Sequence, residues 1–328
     1  MKDIAGRVGV SVKSVSRVVN GEPGVSPATA ERILEVAREL GFRRNDLARN
    51  LRQQDRTGTI GLVLRHSSTR FHDRLVQGIE DVAEHHGALV ITAGSRTPER
   101  ERATLLALSS RRLDGLLVVP IGADHSFLAA EQATGMPLVF VDRPPRHLAA
   151  DAILADDHGG ARAAVDHLVR GGHRRIAVIG AGADLHTVRE RVRGYRSALR
   201  AAGVEPDERL VLLDREGRAA AEQAVTDLLA GAAPPTALFT TNNVSTIGAT
   251  VALRRAGAER RVALVGFDDF ELADLLDPPL TVVAHDIVEM GRRAAEQLFR
   301  RIDGDDAPAR TDVLPTRLIP RGSGEIPA

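Results

Sequence analysis

The chain of 328 residues has no cysteine and no tryptophan, a single tyrosine, and only two lysines, Lys2 and Lys13. Without cysteine there can be no disulfides, thiolate metal sites, iron–sulfur clusters or cysteine nucleophile. Long apolar runs are missing too. None approaches the roughly 20 residues of a membrane span, and the first 30 residues carry charges where a secretory signal needs an apolar stretch. The expectation is a cytoplasmic protein with no membrane partner. What is present is ordinary globular material: 43% hydrophobic residues, 27% charged residues and 30 glycines argue against a disordered, collagen-like or disulfide-scaffold chain. The length suggests about two folding units, each with its own core.

Net charge is zero, with 44 basic and 44 acidic residues, but it is unevenly spread. Residues 1–57 hold 11 Lys or Arg against 7 Asp or Glu, and both lysines. A small electropositive segment on a larger acidic body is a common layout for nucleic-acid binders, although a charge of this size also fits a solvated surface.

Residues 1–42 read as three short helices. Asp3 to Val8 forms the first, Gly9-Val10-Ser11 a turn with Ser11 as N-cap, and Val12 to Val19 the second, ended by Asn20-Gly21. Ser26 caps a third helix, Pro27 fits its first position, and Ala30, Ile33, Leu34 and Ala37 recur at helical spacing until Gly41. Residues 43–57 are polar and basic and read as a linker. From Thr59 onward short apolar strands alternate with amphipathic helices: strands at Ile60–Leu64, Ala88–Thr92, Gly115–Val119 and Pro137–Val141. The alternation then repeats with Arg175–Ile179, Leu210–Leu213, Ala237–Thr240 and Val262–Val265. Two doubly wound α/β halves imply a cleft between them, with ligands at the carboxyl ends of the strands.

Ala5, Gly9 and Val15 stand at helix-turn-helix spacing, with a small residue in helix one, glycine in the turn and an apolar residue in helix two. A generic helical hairpin shares that pattern. The longer string GVSVKSVSRVVNG followed by VSPATAERILEVARELGF resembles the DNA-binding domain of the LacI/GalR family of bacterial transcription regulators. The resemblance runs along the chain: NDLARNL at 45–51 is similar to the family's hinge helix, IGLVLRHSSTRF to its first body strand, and GLLVVP, VFVDRP, GGHRRIAVIG, TTNNVSTIGA, VGFDDFELADLLDPPLTVV and MGRRAAEQL to later landmarks. It implies an α/β architecture in which an N-terminal three-helix helix-turn-helix domain (residues 1–44) and a hinge and linker (45–57) precede a core (58–328). That core consists of two doubly wound subdomains of periplasmic-binding-protein type, one about 58–154 and 286–315, the other about 155–285 and 316–328. A homodimer on palindromic operator DNA, controlled by a sugar-like small-molecule effector and needing no cofactor, is the implied regulator, a repressor by expectation. The chain ends without a leucine heptad tail, which favours a dimer over a tail-linked tetramer.

On this resemblance the second helix enters the major groove, with Val12, Lys13 and Arg17 at the base-reading positions. Ser11, Ser14 and Ser16 are placed for phosphates. Ala48 and Leu51 align with the hinge residues that wedge into the minor groove, in a segment expected to order only on DNA. Phe71, Asp142, Thr187, Arg191, Asn242, Asp268 and His285 match effector contacts, Arg191 as the grip on ligand hydroxyls or carboxylate.

Several positions depart from the family pattern. Arg44-Asn45 replaces Pro-Asn at the hinge entry. Two or three residues with a Thr or Ser cap usually precede Lys2, so either translation starts upstream or the first helix lacks its cap. Thr69-Arg70-Phe71-His72 replaces Asn-Pro-Phe-Phe, and Arg70 and His72 at the cleft mouth raise the prospect of an anionic ligand. Enzyme readings are weaker. Ile179-Gly180-Ala181-Gly182 follows a strand as a dinucleotide loop would, but Leu185 stands where the third glycine belongs. His85-His86 and the Asp268, Asp269, Glu271 cluster lack metal-ligand spacing. A sugar-binding protein without DNA activity would leave the first 57 residues unexplained.

Overall fold

The computed structural model describes residues 1–19, 22–42, 56–65 and 70–328, which belong to two compact units, Met1–Thr57 and Gly58–Ala328. The hinge positions Ala48 and Leu51 lie outside the described residues, as do Asn20-Gly21.

In the first unit α1 (Lys2–Val8), α2 (Val12–Val19) and α3 (Pro27–Glu39) form a bundle. α1 ends at Gly9, whose φ of 75° is open to glycine at little cost and lets its N–H return to the Ala5 carbonyl. Ser11 Oγ accepts the Ser14 N–H at 3.0 Å, capping α2. Ser26 caps α3 through the Thr29 N–H, with Pro27 in the first turn where no amide proton is needed. Ile4, Ala5, Val15, Ile33 and Ala37 are buried together, with Val18 and Val19 packed against them. Val15, Val18 and Val19 stand at i, i+3 and i+4, so one side of α2 is pinned inward and the other faces out.

The second unit begins with β1 (Thr59–Arg65), α4 (Arg70–His85), β2 (Leu89–Ser95), α5 (Pro98–Ser109), β3 (Gly115–Val118), α6 (Ala129–Ala133), β4 (Leu138–Val141) and β5 (Asp151–Ala155). It continues with α7 (Asp157–Arg170), β6 (Ile176–Ile179), α8 (His186–Ala201), β7 (Val211–Leu212), α9 (Gly217–Ala230), β8 (Ala237–Thr240), α10 (Asn243–Arg255), β9 (Ala263–Phe267) and β10 (Thr281–Ala284). α11 (Ile287–Ile302), β11 (Thr311–Leu314) and β12 (Arg317–Ile319) complete it. Among the described residues these strands make two six-stranded sheets, ordered β2-β1-β3-β4-β5-β11 and β7-β6-β8-β9-β10-β12. All pairings are parallel except β12 on β10. Each sheet reverses its strand order beside its first strand, the place where α/β sheets open a crevice.

The sequence-based strands are present, with ends shifted by a few residues. β5, β10, β11 and β12 were not separated in that reading. The structure shows why they matter: the chain passes between the lobes at Ala155–Asp157, Ala284–Ile287 and Leu314–Arg317, at the ends of these strands.

Helices close on one another through glycine. A methyl added at Gly78 of α4 would overlap the Val288 carbonyl of α11, and one at Gly291 of α11 would overlap the Leu75 carbonyl of α4. This contact seats α4, and with it Phe71, over the first sheet. Overpacking of this kind costs about 1–3 kcal/mol. Gly78→Ala is therefore expected to lower core stability by about that amount in denaturant melts, while Gly6→Ala, with open space around it, leaves the core transition in place.

Candidate functional site

The outward side of α2 presents Val12, which is 44% exposed, and Lys13, also exposed, while Val15 behind them is fully buried. Arg17 is half-buried and its guanidinium lies beside Gly24, where a side chain would press on Nη1. Ser11 and Ser14 share a hydroxyl hydrogen bond of 2.9 Å at the start of the helix; Ser16 is half-buried.

In the second unit a cavity of about 570 Å³ opens at the carboxyl ends of both sheets. Its walls include residues just after the strands: Val119, Asp142, Ala181, Thr241 and Asp268. Phe71, Thr187, Arg191 and Asn242 also line it, so six of the seven positions implied by the resemblance converge there. His285 does not. It lies in the Ala284–Ile287 crossover and lines a neighbouring cavity of about 370 Å³ together with Arg70, and Asp268 borders both. Arg70 and His72 are thus parted: His72 is buried in the wall of the first cavity and Arg70 belongs to the second.

Arg191, 4% exposed, is the centre of the first cavity. Its Nε donates to Asp157 Oδ1 at 2.7 Å, Nη1 donates to the Thr241 carbonyl at 2.6 Å and to Asp268 Oδ2 at 3.1 Å, and Nη2 donates to Asp268 Oδ1 at 3.4 Å. The guanidinium carbon sits 3.6 Å from the centre of the Phe267 ring, a cation–π contact. Arg191 is therefore committed to the protein's own carboxylates, leaving one Nη2 proton for a ligand. Asp268 is held by this arginine at the cavity wall. Asn242 is half committed as well: its side-chain oxygen accepts the Ser245 N–H at 2.8 Å and caps α10, which leaves the amide protons for a guest.

Asp142 and Asp268 hold matching places at the ends of β4 and β9, with φ of 68° and 69°. Aspartate enters this left-handed region more readily than most residues. Each also donates its N–H to the next strand, Asp142 to the Ile153 carbonyl and Asp268 to the Val283 carbonyl, both at 2.9 Å. Two carboxylates, one per lobe, thus flank the cleft. Arg65 Nη2 meets Glu216 Oε1 at 3.0 Å across the same cavity, an exposed pair of small energetic weight.

Asp157 was not foreseen from the sequence, because only the fold sets it against Arg191. Its position as the first residue of α7, beside the capping Asp156, gave no separate signal. Burial pushes its carboxyl up to about 7, against the pull of the Arg191 charge and with the negative charges of Asp142 and Asp268 adding to the rise. Arg191 is held charged: burial opposes its charge, but Asp157, Asp268 and Asp142 outweigh that and move it upward.

Residues 1–45 match the family described as bacterial regulatory proteins, lacI family, and residues 165–324 match the periplasmic binding protein-like domain. The HTH-type transcriptional regulator CelR of Thermobifida fusca is 33% identical over 98% of this chain and 97% of its own length. The chain belongs to the lacI family of bacterial regulators. It is a sequence-specific DNA-binding transcriptional regulator with a helix-turn-helix domain and effector-binding lobes. A structure of a CelR–cellobiose complex has a TM-score of 0.75 at 32% identity, covering 98% of both chains. A lac repressor dimer bound to operator and the anti-inducer ONPF has a TM-score of 0.87 at 26% identity, again over 98% of both. Among the described residues no helix of this lacI-family protein is long and apolar enough to cross a membrane.

The burial of Asp157 has a testable consequence. Its carboxyl titrates near 3.8 when unfolded and at about 7 when folded, so between those values the native state keeps a proton that the unfolded state has lost. Stability then declines as pH rises through that interval. Asp157→Asn keeps an acceptor for Arg191 and removes the titration, so its thermal midpoint should fall less with rising pH than that of the parent. Parallel profiles would mean that Asp157 is ionised throughout.

Proposed function

We propose that this regulator is a repressor that binds a palindromic operator as a homodimer in the cytoplasm and responds to a sugar or sugar derivative held between its lobes. The carrying observation is full-length similarity to an operator-bound repressor dimer in a chain whose α2 turns Val12 and Lys13 outward. The division into 1–44, 45–57 and 58–328 is proposed as helix-turn-helix domain, hinge and core, with core subdomains at about 58–154 with 286–315 and 155–285 with 316–328. Val12, Lys13 and Arg17 read bases: Arg17 forks onto guanine O6 and N7, Lys13 donates to guanine, and Val12 touches a thymine methyl. Ser11, Ser14 and Ser16 contact phosphates, and Ala48 and Leu51 enter the minor groove.

Exposed apolar side chains support a dimer. Leu89 and Ile91 on the edge strand β2 are 72% and 43% exposed, and Leu275 after β9 is 75% exposed. In the cleft, Asp142, Asp268, Asn242 and Thr187 are hydrogen-bonding partners for ligand hydroxyls. Phe71 supplies an apolar face and Arg191 orients Asp268, while His285, which matches an effector contact by resemblance, stands in the neighbouring cavity. Carboxylates of both lobes facing hydroxyl groups favour the closed arrangement of the lobes, and that shift in population sets operator affinity. The cellobiose in the CelR complex supports a carbohydrate effector.

Selection of the full chain against a random double-stranded DNA library should enrich a palindrome. Arg17→Ala should lose about 1–3 kcal/mol of discrimination at one base pair of each half-site, and Leu51→Ala should weaken the whole palindrome. Absence of any enriched sequence without effector would overturn the reading as a repressor that binds unliganded and point to a regulator that needs its effector to bind. For the cleft, Asn242→Ser retains a cap for α10 but loses the amide donor. Its melting point should stay near that of the parent while the thermal shift given by a responding sugar in a mono- and disaccharide panel shrinks; an undiminished shift removes Asn242 from the site.

A further inference from the structure

The 370 Å³ cavity beside the cleft is built unlike the cleft itself. It lies against two of the three crossovers, with Arg70 and Arg74 from α4 on the first lobe and Arg317 from the start of β12 on the second. Arg70 and Arg74 are four residues apart and so share one face of their helix. Among the described residues none of these three arginines makes a side-chain hydrogen bond or ion pair. The three carboxylates of the same cavity are already engaged. Asp268 is held by Arg191. Asp269 takes a two-pronged bond from Arg321 at 2.8 and 2.7 Å, and Asp286 accepts the Glu289 N–H at 3.1 Å. Burial would raise Asp269, but Arg321, the Phe270 N–H and the charge of Arg70 bring it below the usual carboxylate range. Arg74 and Arg317 have no carboxylate at ion-pair distance among the described residues, and against the three arginines Asp286 is the one carboxylate of this cavity that no arginine pairs.

His285 is the second observation. It lines this cavity from the crossover, and neither ring nitrogen has a hydrogen-bond partner. Burial holds the imidazole below its ordinary pKa despite the charges of Asp268, Asp142 and Asp286, so the ring is neutral and keeps one N–H to give. Buried polar atoms without partners are rare in native proteins and call for an explanation.

We propose that this second cavity is an anion site that takes a phosphoryl group, gripped by Arg74 and Arg317 with Arg70 at its rim and His285 at its wall. Guanidinium forks match phosphate geometry. Because the arginines come from both lobes, the anion braces the crossovers and so biases the angle between the lobes. This second ligand does not depend on the operator reading. Asp268 borders both cavities, so the phosphoryl group belongs either to a free anion or to a phosphorylated ligand reaching in from the cleft.

Calorimetric titration of the full chain with inorganic phosphate, glucose 6-phosphate and glucose, at matched ionic strength, tests the site. The parent should bind phosphate saturably. The Arg74→Gln/Arg317→Gln variant should bind at least tenfold more weakly, and Arg111→Gln, outside both cavities, as the parent does. Arg317→Gln alone, at an exposed position, should give a partial loss and keeps the test valid if the double variant folds poorly. Equal affinity for phosphate and glucose 6-phosphate identifies a free anion, and a tighter sugar phosphate that loses its advantage in the variant identifies a bridging ligand. No saturable binding of either phosphate, or binding unchanged in both the double variant and Arg317→Gln, overturns the proposal.

Discussion

The buried guanidinium of Arg191 is the contact on which the cleft depends. Asp157 reaches it from the start of α7, Thr241 from the end of β8 and Asp268 from the end of β9, with the Phe267 ring against its flat face. A buried charge without partners would cost several kcal/mol, on the order of 3–5 when one member of such a pair is removed. The second lobe has therefore been organised around satisfying it. Such a cluster adds little net stability compared with apolar packing, but it allows few arrangements, and that restriction aims Asp268 into the cavity.

The two lobes repeat one solution. Both sheets run in the same order, both place an aspartate in a left-handed conformation after the fourth strand, and both anchor that residue's N–H on the neighbouring strand. The cavity between them has one of these carboxylates on each side. Relative movement of the lobes has to be absorbed by the three crossovers, since the sheets themselves are packed too densely to deform. The second cavity lies against two of those crossovers.

The helix-turn-helix unit follows a different logic. Among the described residues its core is five buried apolar side chains, so caps and turn geometry at Gly9, Ser11 and Ser26 carry an unusual share of its order. Burying Val15 while turning Val12 and Lys13 outward gives this short helix one packed face and one free face.

Much of this was written locally. Hydrophobic period, caps and glycine stops mark the three N-terminal helices and the alternating strands of the body, because those signals act between residues a few positions apart. The string around the turn carried the family, and with it six of the positions that line the first cavity. Other features were decided by distance through space. β5, β10 and the final two strands complete the sheets only by non-local pairing, and their short apolar stretches look like many others. Asp157 meets Arg191 across 34 residues of sequence, and Asn242 proved to be a helix cap as well as a cavity residue. Arg70 and His72 are two residues apart in the chain yet line different cavities. Sequence by itself determined the three N-terminal helices, eight of the strands and the family they compose; only the tertiary structure decided the remaining strands and which charges are neutralised and which are left free, because a strand's or side chain's partner is set by the fold and not by its neighbours in the chain.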